Sequence, residues 1–253
     1  MLNSYIKFTI ISLCICYCQA AELPFKSGEK LSYKLYWSKM NVGTFRSDIK
    51  KDRIIDGKAV WHFTMLIQTN KKLDKIYPVR DYLSAFCQKD VKRSLKYSVN
   101  QNEGKTQRII NLNFDWDKKQ LTYIKNGKVR RQNKLKKDYI DPLSLFHALR
   151  SLDLKIGKTE IIKVTDGKVF VEAKINVIKN ERIKIGKKEY DCILIQPDIS
   201  NLKGVFEKSK DAVIKIWLSN DERKIPLKFS SKVVIGEFYA ELENIDKLPG
   251  NKK

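Results

Sequence analysis

Imidazole is scarce in this chain: its 253 residues include two histidines, His62 and His147. A serine or cysteine nucleophile needs an imidazole or equivalent base, itself oriented by an acid, and neither histidine sits in a motif of that kind. Zinc needs three or four ligands at set spacings, which the scattered histidines and cysteines do not provide. No glycine-rich phosphate loop is present. Carboxylates are also sparse, 29 against 51 lysines and arginines. Asp115 and Asp117 flank Trp116, but no second pair is evident that would face them across a cleft, as glycoside hydrolysis requires. These shortages point to a protein that is not an enzyme and that carries no cofactor and no metal.

Long apolar runs are missing as well. Residues 8–17 are uncharged and largely apolar but too short to span a bilayer. With Lys7 before them and Cys18-Gln19-Ala20-Ala21 after them, they read as a secretory signal over residues 1–20, cleaved after Ala20. Lipid attachment at a cysteine is disfavoured, because Ile15 and Tyr17 stand where a small residue should precede it. The expected mature protein is a single β-rich domain over residues 21–253, acting outside the cytoplasm. Removing the leader discards Cys14, Cys16 and Cys18 and leaves Cys87 and Cys192. In an oxidising compartment these two can pair, or they can stay apart as inert core thiols.

What the chain has in excess is positive charge, +22 at pH 7. Such a field favours anionic partners, and export removes nucleic acid as the natural one. The charge is densest over residues 125–137, where Lys125, Lys128, Arg130, Arg131, Lys134, Lys136 and Lys137 occur with no acidic residue among them. A run of this kind is either a solvated face or a docking surface.

With 42% hydrophobic residues the chain can build a core, and the dominant pattern is two-residue alternation. Leu31, Tyr33, Leu35 and Trp37 form one apolar face; Trp61, Phe63, Met65 and Ile67 another; Leu95, Tyr97 and Val99 a third; Ile110, Leu112, Phe114 and Trp116 a fourth. Further strands are expected at Val169 to Val177, Cys192 to Ile195 and Val213 to Leu218. Asp56-Gly57, Glu103-Gly104, Asn126-Gly127, Asp166-Gly167 and Ile185-Gly186 mark short turns, so sequential strands should pair antiparallel. Near the C-terminus Leu227, Phe229, Val233 and Ile235 share one parity and Phe238, Ala240 and Leu242 the other, which reads as a β-bulge at Gly236. One helix is expected over about residues 142–152, capped by Asp141 with Pro142 in its first turn. Its stripe of Leu145, Ala148, Leu149 and Leu152 should dock on the sheet or plug its open end, leaving His147 on the helix surface. Residues 73–77 and 201–208 are short amphipathic segments suited to lids or packed loops. The fold expected is mainly β, a large curved antiparallel sheet or partly open barrel with one docked helix.

Three blocks of residues carry a family resemblance. They are Pro24-Phe25 with Gly28-Glu29-Lys30-Leu31, Tyr33, Trp37 and Gly43; Asp141-Pro142-Leu143-Ser144 with Arg150, Leu154 and Gly157; and Cys192 to Pro197, Ile216-Trp217-Leu218, Asp221 to Pro226 and Gly236. Over nearly the whole mature chain this resembles an exported bacterial family, domain of unknown function 3108. Ser219-Asn220 departs from the family pattern, in which threonine and a small or acidic residue are commoner. The resemblance implies a Gram-negative envelope protein, in the periplasm or at the outer-membrane periphery, built of antiparallel strands. It implies no reaction.

Two functional expectations result. In the first, Trp37, Trp61, Trp116 and Trp217, with Tyr77, Arg80 and Arg150, form the lining or rim of a barrel cavity that holds an acyl chain or another amphiphile. In the second, Arg130, Arg131, Lys134, Lys136 and Lys137 bind an acidic envelope polymer or partner protein. Gly28, Gly43, Asp141, Pro142, Ser144, Asp221, Arg223, Pro226 and Gly236 are expected to hold the architecture, with Arg150 or Arg223 paired to Asp221 or Glu222.

Overall fold

The computed structural model describes residues 22–198, 213–232 and 237–243; the expected leader, the 201–208 segment and Gly236 lie outside them. In chain order the strands are β1 (Lys30–Trp37), β2 (Met40–Ile49), β3 (Arg53–Ile55), β4 (Lys58–Thr69), β5 (Arg80–Gln88), β6 (Ser94–Glu103), β7 (Thr106–Asp115), β8 (Gln120–Lys125) and β9 (Lys128–Lys134). The helix α1 (Pro142–Ala148) follows, then β10 (Thr159–Thr165), β11 (Phe170–Ile185), β12 (Lys188–Asp198), β13 (Val213–Ser219), β14 (Pro226–Lys232) and β15 (Glu237–Leu242). All join one sheet, ordered β10 to β15, then β1, β2 and β4 to β9, with β3 on β4.

The short turns make this meander. At Asn126-Gly127 both central residues have positive φ, 49° and 73°, and Lys125 pairs directly with Lys128. That backbone twist matches the twist of two flanking antiparallel strands, and asparagine and glycine adopt it at low cost. The first and last strands meet in the middle of the sheet, with Tyr33 opposite Leu242 and Trp37 opposite Phe238.

The free edges are β9 and β10, and the chain that links them closes the barrel. Residues 135–141 run across the gap: Leu135 N donates to Lys119 O at 2.8 Å, Ser94 N to Tyr139 O at 3.1 Å and Ile140 N to Lys163 O at 3.0 Å. The β10–β11 turn then folds onto β7 and β8. Asn133 Nδ2 donates to Gly167 O at 3.0 Å, and a side chain at Gly167 would collide with Leu112 and Tyr123. The result is a curled, barrel-like sheet closed by a crossover strand segment and side chains rather than by a β9–β10 ladder.

Two expectations are corrected here. Residues 226–232 and 237–242 are not parts of one continuous strand but two antiparallel partners, β14 against β15, in which Phe229 opposes Ala240 and Lys232 opposes Glu237. Each pair joins one odd and one even number, so residues of opposite parity share a face; that is the phase flip, and no bulge is needed. The helix ends at Ala148 and tightens into a 3-10 turn at Leu149–Ser151. A second 3-10 turn, Leu73–Lys75, occupies the first of the amphipathic segments.

Candidate functional site

The helix α1 lies inside the sheet, and polar clamps hold both its ends. At its start Asp141 Oδ1 accepts from the backbone N–H groups of Leu143 at 2.8 Å and Ser144 at 2.9 Å. Its Oδ2 accepts from Ser94 Oγ at 2.5 Å and Ser144 Oγ at 2.6 Å. Burial pushes the Asp141 carboxyl upward in pKa, and these hydrogen bonds act against that shift. Cys87, buried nearby, has its thiol pushed up by burial and then by the charge of Asp141.

His147 is fully buried, which corrects the expected surface position: its face of α1 is covered by Phe63 of the sheet and Phe25 of the N-terminal segment. Its ring stacks on Phe63 at 4.0 Å, meets the edge of Phe25 at 5.7 Å, and its Nε2 lies 3.3 Å from Ser47 Oγ. Burial, helped by the charge of Arg150, holds the imidazole neutral, well below its ordinary pKa.

Arg150 is also fully buried. Its partner is Glu29, not Asp221 or Glu222: Nη1 reaches Oε1 at 2.5 Å and Nη2 reaches Oε2 at 3.1 Å. Nη2 also donates to Pro24 O at 2.8 Å and Nε to Arg223 O at 3.1 Å. A guanidinium has donors enough for a bidentate carboxylate and two carbonyls at once. Asp221 is held instead by Arg223 Nη2 at 2.6 Å and by Ser219 Oγ at 2.7 Å. Ser219 accepts in turn from Ile225 N at 2.8 Å, so the departure from the family pattern keeps a working hydroxyl in this turn. Tyr33 Oη donates to Pro226 O at 2.8 Å. The three sequence blocks thus meet around one buried arginine.

Beyond α1 the inward face changes character in three cross-strand rows. The deepest, Phe63, Ala85, Tyr97, Leu112 and Tyr123, is buried. One step along the strands, Met65, Leu83, Val99 and Ile110 face each other in the same register but are only half-buried. Half-buried Phe146 of α1 and Phe229 of β14, 5.3 Å apart, belong to the same apolar surroundings, since Phe229 and Met65 both pack on each of the two core clusters. The outermost row turns polar: Asp81 and Gln101, each 6% exposed, and half-buried Arg108, whose Nε donates to Gln101 Oε1. Asp81 accepts from Asn102 N at 2.8 Å. Burial, together with the nearby Glu103 carboxylate, pushes its pKa up to about 6. An apolar band beneath a polar lip is the profile of a site that orients an amphiphile.

The expected aromatic lining is not assembled. Trp37 is 37% exposed and stacks on Phe238 at 6.0 Å; it is the last residue of β1, beyond the register shift that leaves Val42 of β2 unpaired. Trp61 is buried against Phe25 and Phe63, its Nε1 donating to Lys89 O at 3.1 Å. Trp217 donates to Glu181 Oε1 at 2.7 Å, and Trp116 to Ser94 O at 2.7 Å. Tyr77 and Arg80 are exposed, Arg80 paired with Asp74 at 2.6 Å. Cys87 and Cys192 are free, buried thiols in separate core clusters. The basic residues Arg130, Arg131, Lys134, Lys136 and Lys137 are exposed on β9 and its exit. His62 stacks on Phe86 at 4.4 Å and its Nε2 lies 3.0 Å from Ser84 Oγ. Its buried Nδ1 meets no carboxylate among the described residues, so no acid orients this pair for nucleophilic attack.

Sequence reasoning missed the apolar band and its lip. The signal was available: Asp81, Gln101 and Arg108 are polar residues at positions whose parity along β5, β6 and β7 points them inward.

Among solved structures, the chain resembles a beta-barrel-like protein of domain of unknown function DUF1849 from Brucella abortus. The match has a TM-score of 0.55 at 10% identity and covers 85% of this chain and 94% of that one. That likeness concerns the fold. No curated protein matches the chain. The family model DUF3108, a protein of unknown function, matches residues 32–243, from the first strand through the last, and the chain belongs to that family.

Proposed function

We propose that this is a non-catalytic binding protein of the cell envelope that holds a single-chain amphiphile in the mouth of its barrel. The apolar chain lies along Met65, Leu83, Val99 and Ile110, and the polar head meets Asp81, Gln101 and Arg108. The observation that carries this reading is the half-buried apolar row on an inward face whose next row down is buried. Inward-facing apolar groups at a barrel mouth gain stability when something covers them. Covering six methylenes at about 0.8 kcal/mol each supplies about 5 kcal/mol, so an apolar chain is held only weakly until a head group adds hydrogen bonds. The tryptophans are not part of this band: Trp61 is packed against Phe25 and Phe63, and Trp37 lies exposed at the end of β1.

Native mass spectrometry of protein purified from its own envelope, followed by solvent extraction, should show a bound amphiphile. Delipidated protein should bind palmitate saturably, and Val99→Arg should weaken that binding at least tenfold with little change in the folded spectrum. Protein that arrives empty and binds no palmitate would overturn the proposal.

A further inference from the structure

On the outside of the barrel, at the opposite end of β6 and β7 from the polar lip, the chain forms a recess of about 440 Å³ lined by Arg93, Trp116, Lys119, Lys134, Leu135, Lys136, Lys137 and Asp138. Leu135 builds it. Its side chain is 3% exposed and its N–H is tied to Lys119 O at 2.8 Å, so the lysines on either side of it project to solvent. Two of the cations are neutralised, Arg93 by Asp138 at 2.6 Å and Lys137 by Glu172 at 2.7 Å. Lys119, Lys134 and Lys136 have no ion-pair partner among the described residues. The indole of Trp116 is fixed by its bond to Ser94 O, by Phe114 stacked at 5.9 Å and by the Arg93 guanidinium 5.0 Å from its ring centre.

Like charges gathered in a recess repel one another, and an oxyanion placed among them relieves that repulsion. The half-buried indole in the wall carries the Arg93 guanidinium over its ring, and its remaining exposed apolar surface is of the kind a sugar ring packs against. From this combination we infer that the recess binds an anionic sugar, a phosphate or carboxylate carried on a pyranose ring, the oxyanion meeting Lys119, Lys134 and Lys136 and the ring meeting Trp116. Its volume fits one or two sugar units rather than a duplex or a membrane face. The site is separate from the barrel mouth, and neither depends on the other.

The test is titration of the full mature protein with glucose 6-phosphate, with a heparin-derived tetrasaccharide and with glucose as the uncharged control, followed by amide chemical shifts. We expect saturable shifts centred on Arg93, Trp116, Lys119 and Lys136 for both anionic sugars and none for glucose. Lys134→Glu with Lys136→Glu should weaken binding at least tenfold. Lys71→Glu with Lys72→Glu changes net charge equally on exposed residues elsewhere and should leave it within twofold. Trp116→Phe should weaken sugar phosphates more than inorganic phosphate. If both double variants lose affinity alike, or duplex DNA and anionic vesicles shift the same residues as strongly as the sugars, the surface is a general cation field and the inference fails. Equal binding of inorganic phosphate and glucose 6-phosphate would overturn the part assigned to Trp116.

Discussion

At the scale of single residues the interior is governed by a few polar groups whose environments decide their charge. His147 is the one with the sharpest consequence. Its folded pKa lies well below the ordinary value, since burial first and Arg150 second oppose the imidazolium. The groups around it are Ser47 on β2, Phe63 on β4, Phe25 of the N-terminal segment and Arg150 beyond α1. The unfolded chain therefore takes up the proton first as pH falls. Stability contributed through this residue is intact above about pH 6.5 and declines below it, until the folded pKa is reached. One unit below the unfolded pKa the loss is about 1.4 kcal/mol. Urea melts at pH 7.5 and 5.5 should show wild type losing that much more than His147→Gln; identical losses would show that His147 protonates freely in the folded state. The sequence placed this histidine on a helix but could not reveal its burial, because a stripe pattern reports which helix face is apolar and says nothing of what covers the other face.

At the scale of elements, the hairpin turns determine how the sheet closes. Gly167 has φ +83°, and a Cβ there would run into the side chains of Leu112 and Tyr123, so a methyl group meets both a strained backbone region and a collision. Gly186, in the β11–β12 turn, has φ +60° and open space around it. Gly186→Ala should cost about 1 kcal/mol from backbone strain alone. Gly167→Ala should cost about 2–4 kcal/mol, because overpacking adds to the strain. Chemical denaturation of the two variants measures the difference; equal losses would mean that the β10–β11 tip is not wedged against β7 and β8. Both turns were legible as Asp166-Gly167 and Ile185-Gly186. Their unequal weight was not, since it comes from strands more than forty residues away in the chain.

For the whole molecule, the arrangement around Arg150 ties the N-terminal segment at Pro24 and Glu29, the helix and the Asp221–Pro226 turn into one body. Arg150→Met leaves the largely buried Glu29 carboxylate without its partner and should cost about 3–5 kcal/mol. Adding Glu29→Gln should recover part of that loss rather than deepen it, because an uncompensated buried charge is worse than none. A double-mutant cycle by urea denaturation reads the coupling, and strictly additive losses would contradict the geometry. Alternation of apolar and polar residues determined, from the sequence alone, that this chain makes antiparallel strands, and Asp141-Pro142 determined where the helix begins, because both are local consequences of backbone period and capping. Only the tertiary structure decided that Arg150 takes Glu29 rather than Asp221, that the four tryptophans do not share a cavity, and that Met65, Leu83, Val99 and Ile110 form one row. Those outcomes depend on strand order and register, which bring distant residues together and which no local pattern specifies.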